Sequence, residues 1–155
     1  MAHNIQGIII STKYRAVFLY RLSSWFYRKR MRKTASFIKH LNITLNGCEI
    51  SPSAKIGKNF TLSHTVGIVI GHGVVIGDNV NIYQNVTLGT KDGVKPEYPI
   101  IGDNVTLFAG CAILGPVRIG EYSIVGANSV VTKNIPPNSM AIGIPATIKT
   151  KSISS

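Results

Sequence analysis

The chain has 155 residues, which suits one domain with a short appendage and leaves no room for a separate cofactor-binding domain. Its 17 Lys and Arg residues outnumber 6 Asp and Glu, and the formal net charge of +11 favours anionic partners without choosing among them. No apolar run approaches the ~20 residues that cross a bilayer, the N-terminus lacks a signal-peptide pattern, and the two cysteines follow no metal or redox spacing, so we expect a cytoplasmic protein with reduced thiols.

The first predicted element is a basic amphipathic helical segment within residues 1–45. Residues 13–40 contain no acid, proline or glycine, and their apolar side chains recur at helical spacing. Trp25, Phe26 and Tyr27 beside arginine and lysine would suit a helix at the inner membrane surface, although packing against the rest of the protein is the simpler interpretation. Peripheral membrane contact therefore stays open, and we expect no nucleic-acid partner.

A six-residue repeat fills residues 46–135. A strand alternates with period two and an α-helix repeats near 3.6, so a sustained period of six predicts short strands joined by regular corners. The phase slips by two residues once, and a polar loop at 90–99 interrupts the pattern before a C-terminal tail at 136–155. The aliphatic first positions of the repeats are Ile50, Ile56, Leu62, Ile70, Ile76, Ile82, Leu88, Ile101, Leu107, Ile113, Ile119 and Val125.

This pattern predicts an all-β solenoid with the aliphatic first positions in its core. Stacked coils bury that core only between neighbours, so the helical segment is expected to cap one end. Glycine is frequent at the second position, where we expect it to allow a tight corner, and Asn79 and Asn104 suit turn conformations.

Several stretches carry a resemblance to a known family. Residues 50–89, which place His64 in SHTVGIVIG and end in QNVTLG, are similar to the hexapeptide-repeat acyltransferases, and among them to the serine acetyltransferase branch; so are SVVTKNIPPNSMAIGIPATI and YRLSSWFYRKR. The resemblance implies a left-handed parallel β-helix, a homotrimer, acetyl-CoA bound in the groove between neighbouring subunits, and no metal. Pairing of trimers through their N-terminal helices stays open.

The resemblance also assigns catalytic residues. Acetyl transfer from a thioester to an alcohol needs a base for the hydroxyl proton, and His64 occupies the family's catalytic position. Without the resemblance, a lone histidine in a repeat would more often be a surface or packing residue. Glu49 stands where the serine enzymes carry the aspartate that orients the base, and a surface carboxylate is the competing interpretation.

For acetyl-CoA, the resemblance points to the coils after the loop. Ala109, Gly110 and Ala127 are small enough to admit the pantetheine arm, and Lys133 and Lys149 would lie near the phosphates. General solubility is the alternative explanation for the two lysines.

The expected acceptor follows from departures from the family. The serine enzymes carry an Asp before the base and an Arg-His pair at the end of the loop, whereas this chain has Ser63, Glu97 and Tyr98. An acid in place of arginine would repel a carboxylate. We therefore expect a hydroxyl of a sugar or a polysaccharide of the capsule or exopolysaccharide type, held by Ser63, His72, Gln84 and Tyr98. The alternatives are a serine O-acetyltransferase and a non-catalytic trimeric scaffold.

Overall fold

The computed structural model describes residues 11–91 and 96–150. The first ten residues of the helical segment, residues 92–95 of the loop and residues 151–155 of the tail lie outside the described residues. The chain forms helix α1 (Thr12–Arg28), helix α2 (Arg32–Asn46) and then strands only.

The strands are short and regularly spaced. They are β1 (Cys48–Ile50), β2 (Lys55–Ile56), β3 (Thr61–Leu62), β4 (Ile68–Ile70), β5 (Val75–Ile76), β6 (Asn81–Ile82), β7 (Thr87–Gly89), β8 (Ile100–Ile101), β9 (Thr106–Leu107), β10 (Ala112–Leu114), β11 (Arg118–Ile119), β12 (Ile124–Val125), β13 (Val130–Val131), β14 (Ser139–Gly143) and β15 (Ala146–Thr150).

Successive strands join three parallel sheets in turn. The first sheet has the order β1-β4-β7-β10-β13, the second β2-β5-β8-β11, and the third β3-β6-β9-β12-β14-β15. Four successive coils therefore each add one strand to every sheet. The predicted left-handed parallel β-helix with an N-terminal helical segment is confirmed.

The core is a set of stacked aliphatic columns. Ile70, Leu88 and Ile113 pair with one another in register in the first sheet, and each is at most 1% exposed. Leu88 follows Ile70 by 18 positions, which is three repeats of six. Ile70 follows its partner Ile50 by 20 positions, so the first coil is two residues longer. The extra residues fall between Leu62 and Ile68 and widen the corner that contains His64.

The corners use asparagine and glycine for different reasons. Asn79 and Asn104 have positive φ angles of 57° and 58°, and Asn79 Nδ2 donates to Asn104 Oδ1 at 3.2 Å, so their predicted turn role is confirmed. Gly57, at the second position, has no such angle. A Cβ there would lie 2.5 Å from the carbonyl oxygen of Gly77, so glycine is needed because the next coil approaches closely.

The helices form a hairpin that covers one end of the solenoid. Ser23 Oγ donates to the Ala35 carbonyl at 2.7 Å and so joins α1 to α2, and both residues are buried. Tyr20 Oη donates to the Ala54 carbonyl at 2.8 Å, which fastens α1 to the first coil. Neither helix of the described chain is both long and apolar enough to span a membrane.

The opposite end is closed by a hairpin within the predicted tail. Strand β14 continues the third sheet in parallel with β12, and β15 then runs antiparallel to β14. Ile135 also bridges Ile119 of β11 in parallel, which extends the second sheet by one residue pair.

Candidate functional site

His64 lies at the widened corner between β3 and β4. It lines an open cavity of about 490 Å³ together with Ser63, and the wall opposite is built by the two helices. The start of α1 contributes Lys13, and the end of α2 contributes Asn46. The candidate base therefore lines the same cavity as Lys13, whose ammonium nitrogen lies 5.4 Å from the centroid of the Tyr14 ring.

The corners that follow the third sheet stack into one edge of the solenoid, which we call the first edge. Backbone hydrogen bonds join these corners. The N–H of Asn85 donates to the carbonyl of Val66 at 2.9 Å, that of Gly110 to the carbonyl of Gln84 at 3.0 Å, and that of Asn128 to the carbonyl of Ala109 at 2.9 Å. One continuous edge thus carries most of the predicted site residues: Ser63, His64, Gln84, Ala109, Gly110 and Ala127.

The first edge also carries an aromatic pair that sequence reasoning missed. The rings of Tyr83 and Phe108 stack with their centroids 5.0 Å apart, and Phe108 is 36% exposed. Both residues occupy the second position of their repeats, where glycine is the usual residue. That replacement of glycine by an aromatic residue is the sequence signal that could have found them. They lie on the same edge as Ala109 and Ala127, and Gln84 lies between Ala109 and the coil of His64.

His72 and Tyr98 lie on a different edge of the solenoid. This edge is formed by the stacked corners that follow the strands of the first sheet, and we call it the second edge. His72 Nδ1 lies 2.7 Å from Ser53 Oγ. The ring of Tyr98 packs on Gly71, where a Cβ would come within 2.9 Å of it. The two edges are separated by one side of the solenoid, which is one six-residue repeat long. At about 3.3 Å per residue, the edges are about 20 Å apart. The predicted acceptor residues therefore fall into two groups within one chain.

Glu49 has a different partner from the predicted one. It lies on the outward side of β1, where its carboxylate Oε1 is 3.0 Å from Lys39 Nζ of α2. The cavity that His64 lines does not include Glu49. Within the described residues, Glu49 is paired with Lys39 and makes no hydrogen bond to His64.

The two predicted phosphate ligands are exposed at the C-terminal end of the solenoid. Lys133 follows β13 at the second edge, and Lys149 lies on β15, opposite Met140 in the third sheet. They share one end of the molecule but project from different sides.

The cysteines are core residues. Burial raises the pKa of the Cys48 thiol and of the Cys111 thiol to about 12, so both are protonated at neutral pH and neither supplies a nucleophile. Across residues 11–91 and 96–150, no three His, Cys, Asp or Glu side chains come together as a metal site requires.

Known proteins that are similar to this chain include serine acetyltransferases of bacteria and of soybean. The family model "Bacterial transferase hexapeptide (six repeats)" matches residues 98–133. The chain is 39% identical over 134 residues to a serine acetyltransferase of Mycobacterium tuberculosis and 42% identical over 134 residues to one of Staphylococcus epidermidis. These alignments cover 86% of this chain but 58% and 63% of the relatives, so the chain spans about three fifths of the length of the curated relatives it matches.

Solved structures agree. The serine acetyltransferase of Vibrio cholerae superimposes with a TM-score of 0.88 at 34% identity, covering 94% of this chain and 57% of that chain. A serine acetyltransferase of Brucella abortus, solved in complex with coenzyme A, gives a TM-score of 0.90 at 30% identity, covering 97% and 61% of the two chains.

The expectation of a sugar or polysaccharide acceptor is wrong, because the relatives that match most of this chain are serine acetyltransferases. Three of the four side chains on which that expectation depended make contacts within the fold, and only Gln84 Oε1 is buried without a hydrogen-bond partner among the described residues. Ser63 Oγ donates to Asn81 Oδ1 at 3.1 Å, His72 is paired with Ser53, and Tyr98 packs on glycine backbone. Differences at a few acceptor positions were a weaker signal than the similarity of the whole chain.

Proposed function

Because the chain belongs to the hexapeptide-repeat acyltransferase superfamily, in its serine acetyltransferase-like branch, we propose that it transfers the acetyl group of acetyl-CoA to the hydroxyl of L-serine. The observation that carries this proposal is the identity of 39–42% to serine acetyltransferases over 86% of the chain. The products are O-acetyl-L-serine and free coenzyme A.

In the proposed reaction His64 is the general base. Its imidazole takes the hydroxyl proton as the serine oxygen attacks the thioester carbonyl carbon. The tetrahedral intermediate then collapses, the C–S bond breaks, and the thiolate leaves with the proton returned by His64. No acetyl-enzyme forms. General base catalysis of this kind contributes typically about 10²- to 10⁴-fold to the rate.

The first edge is the proposed site for acetyl-CoA. A strip of small residues beside the stacked rings of Tyr83 and Phe108 offers an apolar path for the pantetheine arm, which would end at His64. Lys149, together with Lys133 from the second edge of a neighbouring subunit, is proposed to contact the phosphates, and an anionic cofactor suits a chain with a net charge of +11. The complex of the Brucella abortus relative with coenzyme A supports this role for the fold.

Lys13 is proposed to hold the serine carboxylate. The arginine that the family places at the end of the loop is replaced by Glu97, so the carboxylate needs another cation. Lys13 and His64 line the same cavity, which supports a substrate that spans the two. A charged hydrogen bond of this type is stronger than a neutral one.

A homotrimer would complete the site. The separation of about 20 Å between the two edges prevents His72 and Tyr98 from reaching His64 of the same chain. We propose that the second edge of a neighbouring subunit faces the first edge and adds the end of the loop, where Glu97 could pair with the serine ammonium group. Glu49 is proposed to orient His64 in this assembly.

The test is thiol release from acetyl-CoA by the purified protein. L-serine should support release and L-alanine, which lacks the hydroxyl, should not. His64→Asn should reduce the rate at least about 100-fold. His40→Asn is the matched control, because His40 is exposed on α2 and should retain full activity. A folded protein that binds acetyl-CoA but releases no thiol with L-serine would refute the proposed acceptor, and one that fails to bind acetyl-CoA would favour the scaffold.

A further inference from the structure

Helix α1 presents large apolar side chains to solvent. Phe18 and Trp25 are 46% and 47% exposed, and their separation of seven residues places them on one face of the helix. The opposite face is buried through Ala16, Tyr20 and Ser23. The exposed face is therefore not the one that holds the helix to the solenoid.

The turn between the helices adds charge to this surface. Residues 28–33, with the sequence RKRMRK, are all exposed and contain five cations around Met31. Phe37, one helical turn beyond Lys33 on α2, is 64% exposed. We refer to Phe18, Trp25, Phe37 and residues 28–33 together as the basic tip.

Among the described residues, no acidic side chain pairs with the basic tip. The first acidic residue in the chain is Glu49, and Glu49 is paired with Lys39. Within the described part of the chain, the cations of residues 28–33 form no ion pair. Two copies of the basic tip placed face to face would bring like charges together, so charge complementarity favours an anionic partner.

We propose that the basic tip binds the surface of an anionic lipid bilayer. Its aromatic side chains and Met31 would enter the boundary between headgroups and acyl chains, and its cations would contact the lipid phosphates. A nucleic acid would also attract the cations, but it offers no hydrocarbon for Met31 and Phe37. An anionic bilayer can contact both the cations and the apolar side chains of the basic tip.

The chain supplies its own probe for this proposal. Trp25 is the only tryptophan, so its fluorescence reports directly on the basic tip. We expect a blue shift of its emission, together with co-flotation of the protein, on vesicles of phosphatidylcholine containing phosphatidylglycerol. Neither should occur on vesicles of phosphatidylcholine alone. Binding should weaken as salt is added, because surface charges are then screened.

Two variants divide the contributions of charge and apolar contact. Lys29→Gln/Lys33→Gln should weaken vesicle binding roughly 30-fold, since each cation near an anionic surface contributes about five- to sixfold in affinity. Phe18→Ser/Phe37→Ser should reduce the blue shift and the flotation. Lys58→Gln/Arg118→Gln is the charge-matched control, with two exposed cations of the coils, and should bind like the parent protein.

Four results would overturn the proposal. The first is that the parent protein does not float with anionic vesicles at low salt, and the second is that the control variant loses as much vesicle binding as the tip variants. The third is binding to nucleic acid without any response to vesicles. The fourth is a shift of the Trp25 emission that depends on protein concentration in the absence of lipid. The last result would assign the surface to a second copy of the chain. Thiol release measured without lipid should be the same for all variants, which separates this proposal from the proposed activity.

Discussion

Lys39 Nζ lies 3.0 Å from Glu49 Oε1 and joins helix α2 to the outward side of β1. The side chains are 24% and 46% exposed, and a pair so open to solvent is worth about 0–1 kcal/mol. The contact therefore contributes little to the stability of the fold, and its value is that it locates the carboxylate of Glu49.

Replacing each partner of this pair separates a catalytic role from a structural one. If Glu49 orients His64 in the assembled protein, Glu49→Gln should lower kcat at least about tenfold, because the base loses the group that holds its ring. Lys39→Gln should leave kcat unchanged, and each change should cost less than about 1 kcal/mol of unfolding free energy. Steady-state thiol release and urea unfolding measure the two effects. Equal kcat values for the two variants would remove Glu49 from the proposed mechanism.

Lys13→Met should raise KM for L-serine about tenfold or more, because the substrate carboxylate loses a charged hydrogen bond. The KM for acetyl-CoA and the kcat at saturating serine should stay the same, since Lys13 does not contact the reacting atoms. Lys55→Met, which removes another exposed lysine from the first coil, is the control. A parallel rise of both KM values would instead indicate that Lys13 acts on cofactor binding or on the fold.

Leu88→Ala should destabilise the protein by about 2–5 kcal/mol, the usual range for a buried leucine. Leu88 is fully buried and pairs with Ile70 and Ile113 in the coils on either side, so the cavity opens in the middle of the stacked core. Val69→Ala changes a side chain that is 39% exposed on β4 and should cost only a few tenths of a kcal/mol. Urea unfolding followed by Trp25 fluorescence checks both. Similar costs would contradict the burial pattern.

Stability should fall with rising pH in the alkaline range. The pKa values of Cys48 and Cys111 are raised by burial from 9.0 to about 12 in the folded protein. Below pH 9.0 both thiols are protonated whether the chain is folded or not. Above it the unfolded chain ionises first, so unfolding releases protons and the unfolding free energy decreases until the folded thiols also ionise near pH 12.

The experiment is urea unfolding at a series of pH values from neutral to alkaline. A Cys48→Ala/Cys111→Ala variant should show a shallower decrease than the parent protein. A residual decrease is expected from Tyr20, whose pKa is also raised by burial. Identical pH profiles for the two proteins would contradict the assignment to the thiols.

The six-residue repeat made the fold predictable because it is a local pattern. Each aliphatic first position faces the core for the same reason as the next, and the two-residue slip in phase marks the widened corner at His64. Glycine at the second position was predicted to allow a tight corner. At Gly57 the constraint is the approach of the following coil, which depends on stacking.

The site was less predictable because its distances depend on tertiary placement. The ion pair of Glu49 follows from where α2 lies on β1, and the position of Lys13 beside His64 follows from where α1 begins. The assignment of His72 to a different edge from His64 also needed the coils to be traced in three dimensions. Besides the slip in phase at His64, the aromatic residues at 83 and 108 left a signal in the repeat itself.

The structure at the two ends of the solenoid bears on whether one molecule can stack end to end on another. A stack of parallel coils could in principle continue from one molecule into the next, since an open strand edge is a template for further pairing. Here α2 lies against β1 at one end, and at the other β15 reverses direction beside β14. A reversed strand cannot seed another parallel strand, so at this end the third sheet offers no parallel edge from which a coil of a second molecule could continue.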